Sequence, residues 1–116
     1  MKRGEVYLAD LEPIRGAEPN KARPVVLVGN NASLGAAQRL NRGVVTVVPC
    51  TSNVAIRGSM HVLLRPSRLN GLRVPSKAQA EQVRSIDIGR LVRPLGKLGA
   101  ADVHALEDAI RFHLAL

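Results

Sequence analysis

GVVTVVPC, residues 43–50, runs through Val44, Val45, Val47 and Val48 with a single polar interruption at Thr46. A short β-branched run of this kind, closed by Gly43 on one side and a turn-rich segment on the other, reads as a strand buried on both faces. Outward from it the chain keeps to short strands and turns. On the N-terminal side, Glu5 to Leu11 alternates Val6 and Leu8 with Glu5 and Tyr7 as a half-buried strand, and Pro24 to Val28 is a second strand. Glu12 to Arg23 gathers Pro13, Gly16, Pro19 and Asn20 into a loop too long for a hairpin turn. Asn30 to Arg42 is polar and rich in small residues, with a weak helical turn expected around Leu34 to Leu40.

On the C-terminal side the expected order is a loop over Thr51 to Ser59, a strand over His61 to Leu64, a Pro/Arg/Gly loop over Arg65 to Leu72, and a strand over Arg73 to Ser76. Ala80 to Ile88 alternates and is read as a strand, followed by a helical turn over Asp87 to Leu91 and an edge strand over Arg93 to Lys97. The tail differs. Val103, Leu106, Ile110 and Leu114 recur at intervals of three and four, which predicts one amphipathic helix on the sheet, with Gly99 and Asp102 at its start. The fold class expected is mainly β with a C-terminal helix: a small bent antiparallel sheet or a partly closed, SH3-like barrel. At 116 residues the chain suits one domain, 1–116. Its valine and leucine core is small, so a second copy covering a sheet face, giving a symmetric homodimer, is expected.

The apolar share of 46% and charged share of 22% belong to a folded soluble domain. No apolar run reaches the ~20 residues of a bilayer span. Asp10 and Glu12 spoil the opening segment as a secretory signal, so no membrane association and a cytoplasmic location are expected. One cysteine and three histidines show no zinc spacing, and neither a metal nor a cofactor is expected. The net charge of +8, carried by 13 Arg and 4 Lys, points to a partner rich in phosphate or carboxylate. With Tyr7 and Phe112 as the only aromatics, a sheet that stacks successive bases on aromatic rings is disfavoured. The sequence has no P-loop, no G-x-S-x-G and no H-E-x-x-H. His104 and His113 fall on opposite faces of the last helix and cannot form an acid/base pair within one chain. His61 reads as a strand histidine satisfied by a neighbour.

What remains is a set of loop residues: Arg15, Gly16, Glu18 and Arg23 around the first long loop, and Thr51, Ser52 and Asn53 after the buried strand. Arg23 alone reads as well as a solvated charge, and Thr51 alone as a turn residue. Together with their surroundings they say more. RGEVYLADLEPIRGAEPNKARPVVLVGNN (3–31), VTVVPCTSN (45–53), HVLL (61–64) and KAQAEQVRSIDIGRL (77–91), followed by a terminal helix, closely resemble the MazF/PemK family of bacterial toxins. The most specific parts are GAEPNKARPVVLV (16–28) and the P-x-T-S of Pro49 to Ser52.

The resemblance implies the plasmid-maintenance toxin fold, a dimer, an acidic MazE-like antitoxin partner, and metal-independent cleavage of single-stranded RNA at short sequences. It makes Arg23 the catalytic arginine, Thr51 its hydroxyl partner and Glu18 a first-loop carboxylate, with Gln82 near the RNA and Arg15, Gly16, Ser52 and Asn53 in substrate binding. The chemistry suits those residue types: an arginine stays charged and forks onto two phosphate oxygens, and a threonine donates one hydroxyl hydrogen bond. Two departures bear on base preference. Gly58-Ser59-Met60 stands where the family commonly has aromatic-Pro-Phe, and Tyr7 where it commonly has tryptophan. Two other functions stay open on the same fold: a CcdB-like gyrase poison that cuts nothing, and an RNA-binding module without catalysis.

Overall fold

The computed structural model describes residues 1–11 and 22–116. In chain order the elements are β1 (Glu5–Asp10), β2 (Ala22–Leu27), α1 (Asn31–Leu40), β3 (Val44–Thr51), β4 (His61–Leu64), β5 (Ser76–Gln79), β6 (Arg84–Asp87), β7 (Leu91–Lys97) and α2 (Ala100–Leu114). Single turns of 3-10 helix, Ala80–Gln82 and Ile88–Arg90, precede β6 and β7. The seven strands follow the order β4-β5-β3-β2-β1-β7, all antiparallel, with β6 on β3 as well. The order has two free ends, β4 and β7, so the described sheet is bent but not closed into a barrel.

The bend is made at β3. Its first half, Val44 to Val47, pairs with β6, and its last residues, Cys50 and Thr51, pair with β5 on the same edge. Between them the 3-10 turn Ala80–Gln82 carries the chain sideways from one partnership to the other. Pro49, which has no N–H to give, sits where that edge changes partner, while on the opposite edge it faces Val25 of β2.

Val45, Val47 and Val48 are buried, on both faces of the sheet, as the pattern predicts, but Val44 at the start of the strand is exposed, a correction to the expected run. Val6, Val26, Val48 and Cys50 pack with Val62, Leu64 and Leu106 under α2. Ala9, Val25, Leu27, Val45 and Val47 pack with Leu34 and Ala37 of α1 and with Ile86. Truncating one such fully buried leucine to alanine costs about 2–5 kcal/mol.

Several other expectations hold and three more are corrected. The strand over 61–64, the turn before β7 and the β7 edge position agree with the structure. Where a weak turn was expected, α1 is a full helix of 10 residues: the Asn30 side chain caps it by accepting from Ser33 N–H at 2.8 Å, and Asn41 ends it in the left-handed region. The strand expected over Arg73 to Ser76 begins only at Ser76, because Arg73 and Val74 are exposed and Pro75 brings no donor. The strand expected over Ala80 to Ile88 is instead a 3-10 turn followed by the short β6. The terminal helix packs on β4 and the first 3-10 turn through Leu106 and Ala109, with Gly99 as its N-cap, while Leu114 faces solvent.

Candidate active site

Arg23 enters β2 next to Pro24, whose ring holds the preceding residue in extended geometry. It faces Ala9 on β1. On its other side the β2–β3 ladder runs Leu27↔Val47, Val26↔Val48, Val25↔Pro49 and ends there; Arg23 and Thr51 lie two residues beyond that last pair, on β2 and β3, and both line one cleft. Thr51 in turn faces Lys77 on β5. Directly opposed residues share a face, so Thr51 and Lys77 lie side by side on β3 and β5, with Arg23 reaching the same cleft as Thr51 from β2.

Arg23 stands on two open clefts. One, of about 340 Å³, is lined by Leu11, Arg23, Pro49, Gln79, Gln82 and Arg84. The other, of about 510 Å³, turns over the ends of β2 and β3 and is lined by Arg23, Pro24, Cys50, Thr51, Ser52 and Ser76 among others. Neither Arg23 nor Arg84 has a carboxylate partner among the described residues. The Thr51 Oγ1 accepts from Asn53 N–H at 3.2 Å, which fixes the oxygen and leaves its proton to donate. Across the two clefts that meet at Arg23, the set offers two permanent positive charges, a hydroxyl donor and two amide side chains, a combination suited to holding a phosphodiester and reading a base beside it.

Among the sequence candidates, the structure brings Arg23, Thr51, Ser52 and Gln82 to these clefts. Asn53 lines neither: its Oδ1 accepts from Ala55 N–H at 3.3 Å, making it a turn residue. Arg15, Gly16 and Glu18 lie outside the described residues. Gln79 and Arg84 line the first cleft without having been singled out in the sequence, and Lys77, which lines neither cleft, stands beside Thr51 on β5. Lys77 is only 7% exposed, and its ammonium donates to the Ile56 carbonyl, tying the loop that follows Thr51 to the strand beside it.

Two other reactive side chains are occupied structurally. Burial pushes the Cys50 thiol up to about 12, so it stays protonated and inert in the cleft wall. The His61 Nδ1 accepts from Gly58 N–H at 2.9 Å and its Nε2 lies 2.8 Å from Glu81 Oε2, which places the ring proton on Nε2 and satisfies the imidazole from both sides, as expected of it. Among the described residues no group of three or more His, Cys, Asp or Glu could hold a metal, and no helix is long and apolar enough to cross a membrane.

The family model of PemK-like, MazF-like toxins of type II toxin–antitoxin systems matches residues 2–114. The chain belongs to this family. Over its whole length it is 49% identical to endoribonuclease MazF9 of Mycobacterium tuberculosis, covering 98% of that protein. It is 30% identical to endoribonuclease EndoA of Bacillus subtilis, again over its whole length and 96% of the relative. Among solved structures it is similar to M. tuberculosis toxin MazF-mt6, with a TM-score of 0.73, 28% identity and 97% of each chain covered. It is also similar to a mycobacterial endoribonuclease solved in complex with its cognate antitoxin, with a TM-score of 0.74, 25% identity, and 100% of this chain and 96% of that one covered. The MazF/PemK relatives thus share the open, bent sheet and terminal helix described above.

Proposed function

We propose that the chain cleaves single-stranded RNA at short sequences, using the substrate's own 2′-OH as nucleophile and the cleft lined by Arg23 and Thr51 as the site of charge stabilisation. Membership in the MazF/PemK family makes it an endoribonuclease toxin of a type II toxin–antitoxin system, and the finer mechanism follows from the residues. The observation that carries it is that Arg23 and Thr51, far apart in sequence, line one cleft, while Arg23 also stands on a second cleft lined by Arg84 and Gln82.

In this reaction the 2′-oxygen bonds to phosphorus as the bond from phosphorus to the 5′-oxygen breaks. One proton leaves the 2′-OH and one reaches the departing 5′-oxygen, so the products are a 2′,3′-cyclic phosphate and a 5′-hydroxyl. Arg23 forks onto the non-bridging oxygens, where charge builds as phosphorus becomes five-coordinate, and Thr51 donates its hydroxyl hydrogen bond to the same group. Arg84 adds long-range positive charge. Glu18 is assigned the 2′-OH proton, and no metal is assigned a role. Gln79 and Gln82 present amides able to read base edges, and Arg15, Gly16 and Ser52 belong to the RNA-binding surface. The protein works in the cytoplasm as a homodimer and is held inactive by an acidic MazE-like antitoxin.

Incubation of the purified protein with a long single-stranded RNA in EDTA, with both ends of each fragment characterised, tests the reading. Cuts at a short recurring sequence with 5′-hydroxyl ends are expected, together with complete resistance of a substrate carrying 2′-methoxy at the cut nucleotide. Cleavage of that blocked substrate would overturn the mechanism.

A further inference from the structure

We propose that a second groove, between the β4–β5 loop and β7, binds the RNA nucleotides that flank the cut position. The inference rests on the reading of the chain as an RNA-cleaving toxin and extends its substrate contact to a surface beyond the cleft of Arg23 and Thr51. The groove encloses about 240 Å³, with Leu8, Pro24, Leu72 and Leu95 in its floor and Arg73 and Arg93 at its rim. Leu8 faces Pro24 on one side and Arg93 on the other, so the three form a row on the sheet face opposite that of Arg23. Pro24, Val74 and Ser76 line both this groove and the larger cleft holding Arg23 and Thr51. A strand of RNA that leaves the cut site over the ends of β2 and β3 therefore enters it directly.

The chemistry fits a nucleotide. Arg73 and Arg93 are exposed and have no carboxylate partner among the described residues. In a protein with only Tyr7 and Phe112 as aromatics, guanidinium planes are the flat surfaces left for a base to stack on, and the same groups fork onto a phosphate. The aliphatic floor takes the apolar face of the base.

The loop that walls the groove is built to hold its shape. Gly71, at φ +70, and Gly96 let the loop and β7 touch backbone to backbone: a Cβ on either would collide with the carbonyl of Leu95 or of Leu69. Asn70 is buried, its Oδ1 accepting from Ser67 N–H and Leu72 N–H at 3.0 Å each and its Nδ2 donating to the Arg65 carbonyl at 2.8 Å. A preformed wall loses little conformational freedom when a ligand arrives.

The test compares the wild type with the R73Q/R93Q double variant. The probes are two fluorescent, uncleavable 2′-methoxy RNAs centred on a mapped cut site: a short one, and the same sequence extended by several nucleotides on each side. Binding is followed by anisotropy over a range of salt concentrations. In the wild type, extension is expected to tighten binding, and the double variant is expected to lose about tenfold of that gain. Its salt slope on the extended RNA falls by about 1.4, at about 0.7 per lost phosphate contact on a single strand. An extended-to-short ratio and slope equal to the wild type's would overturn the proposal. The same holds if the variant changes only its self-association or its hold on an acidic peptide, which would assign the groove to a protein partner. Parallel cleavage assays on the unmodified RNAs separate the two readings: a wild type that binds the extended RNA through Arg73 and Arg93 but cuts nothing would overturn the nuclease and leave the groove standing.

Discussion

At the scale of single residues, the proposed site separates Arg23 and Thr51, which line a cleft and are assigned to the substrate, from Lys77, which faces Thr51 on the next strand and is assigned to holding it in place. Replacing Arg23 or Thr51 by alanine is expected to lower the cleavage rate by about 10² or more, with far-ultraviolet circular dichroism unchanged, as loss of a transition-state charge stabiliser does. Arg23→Lys is expected to fail too, because an ammonium cannot form the two-pronged contact. Lys77 acts at one remove: Lys77→Met keeps the stem buried but releases the Ile56 carbonyl, and a fall of about tenfold in kcat with KM nearly unchanged is expected as the segment after Thr51 loses its anchor. Wild-type kcat would show that the tether has no part in placing Thr51. Cys50 gives a pH signature. Its proton is bound more tightly in the folded protein than in the unfolded one, so the associated stability is complete below about pH 9 and is lost as pH rises towards 12. Urea melts of wild type and Cys50→Ala should therefore diverge in slope only above about pH 9. Arg23, Thr51 and Gln82 were legible in the sequence because they sit in motifs whose spacing resembles a family. Lys77, Gln79 and Arg84 were not, because a buried lysine contradicts the hydrophobic pattern and only the β3–β5 register reveals what it faces.

At the scale of elements, legibility followed apolar periodicity. β1 and α2 were found because apolar residues repeat at two or at three and four, and β3 and β4 because short apolar runs stand between turn-rich segments. α1 escaped because only Leu34 and Ala37 are buried, so its existence rests on the caps at Asn30 and Asn41 and on the few contacts of one face. β5 escaped because its buried residues include Ser76 and Lys77, which no hydrophobic reading places inside. The β4–β5 loop was seen only as a run of Pro, Arg and Gly, yet Asn70 makes it a fixed wall. Asn70→Ala removes an acceptor shared by two N–H groups and a donor to Arg65, and is expected to destabilise the protein by about 2–3 kcal/mol in urea unfolding. Its extended-to-short RNA affinity ratio should fall with it at salt and temperature where the variant remains folded. A loss below about 0.5 kcal/mol would show that the loop does not depend on this side chain.

At the scale of the whole molecule, a charge of +8 on 116 residues acts at a distance that no single arginine does. An acidic antitoxin tail and an RNA strand both present spaced negative charge, and Arg23, Arg84, Arg73 and Arg93 are all without carboxylate partners among the described residues. The two ligands are therefore expected to compete for one surface. Titrating the tail against fluorescent, uncleavable RNA bound to the toxin should displace the RNA, with the inhibition weakening as salt is raised. The decline should be shallower for the tail than for the RNA, because apolar side chains of the tail settle on the floor of Leu8, Leu72 and Leu95, where salt does not screen. Simultaneous binding with unchanged RNA affinity would place the antitoxin elsewhere, on an apolar patch such as the exposed Phe112 and Leu116 at the end of α2, and inhibition would then require a change of conformation instead of direct exclusion.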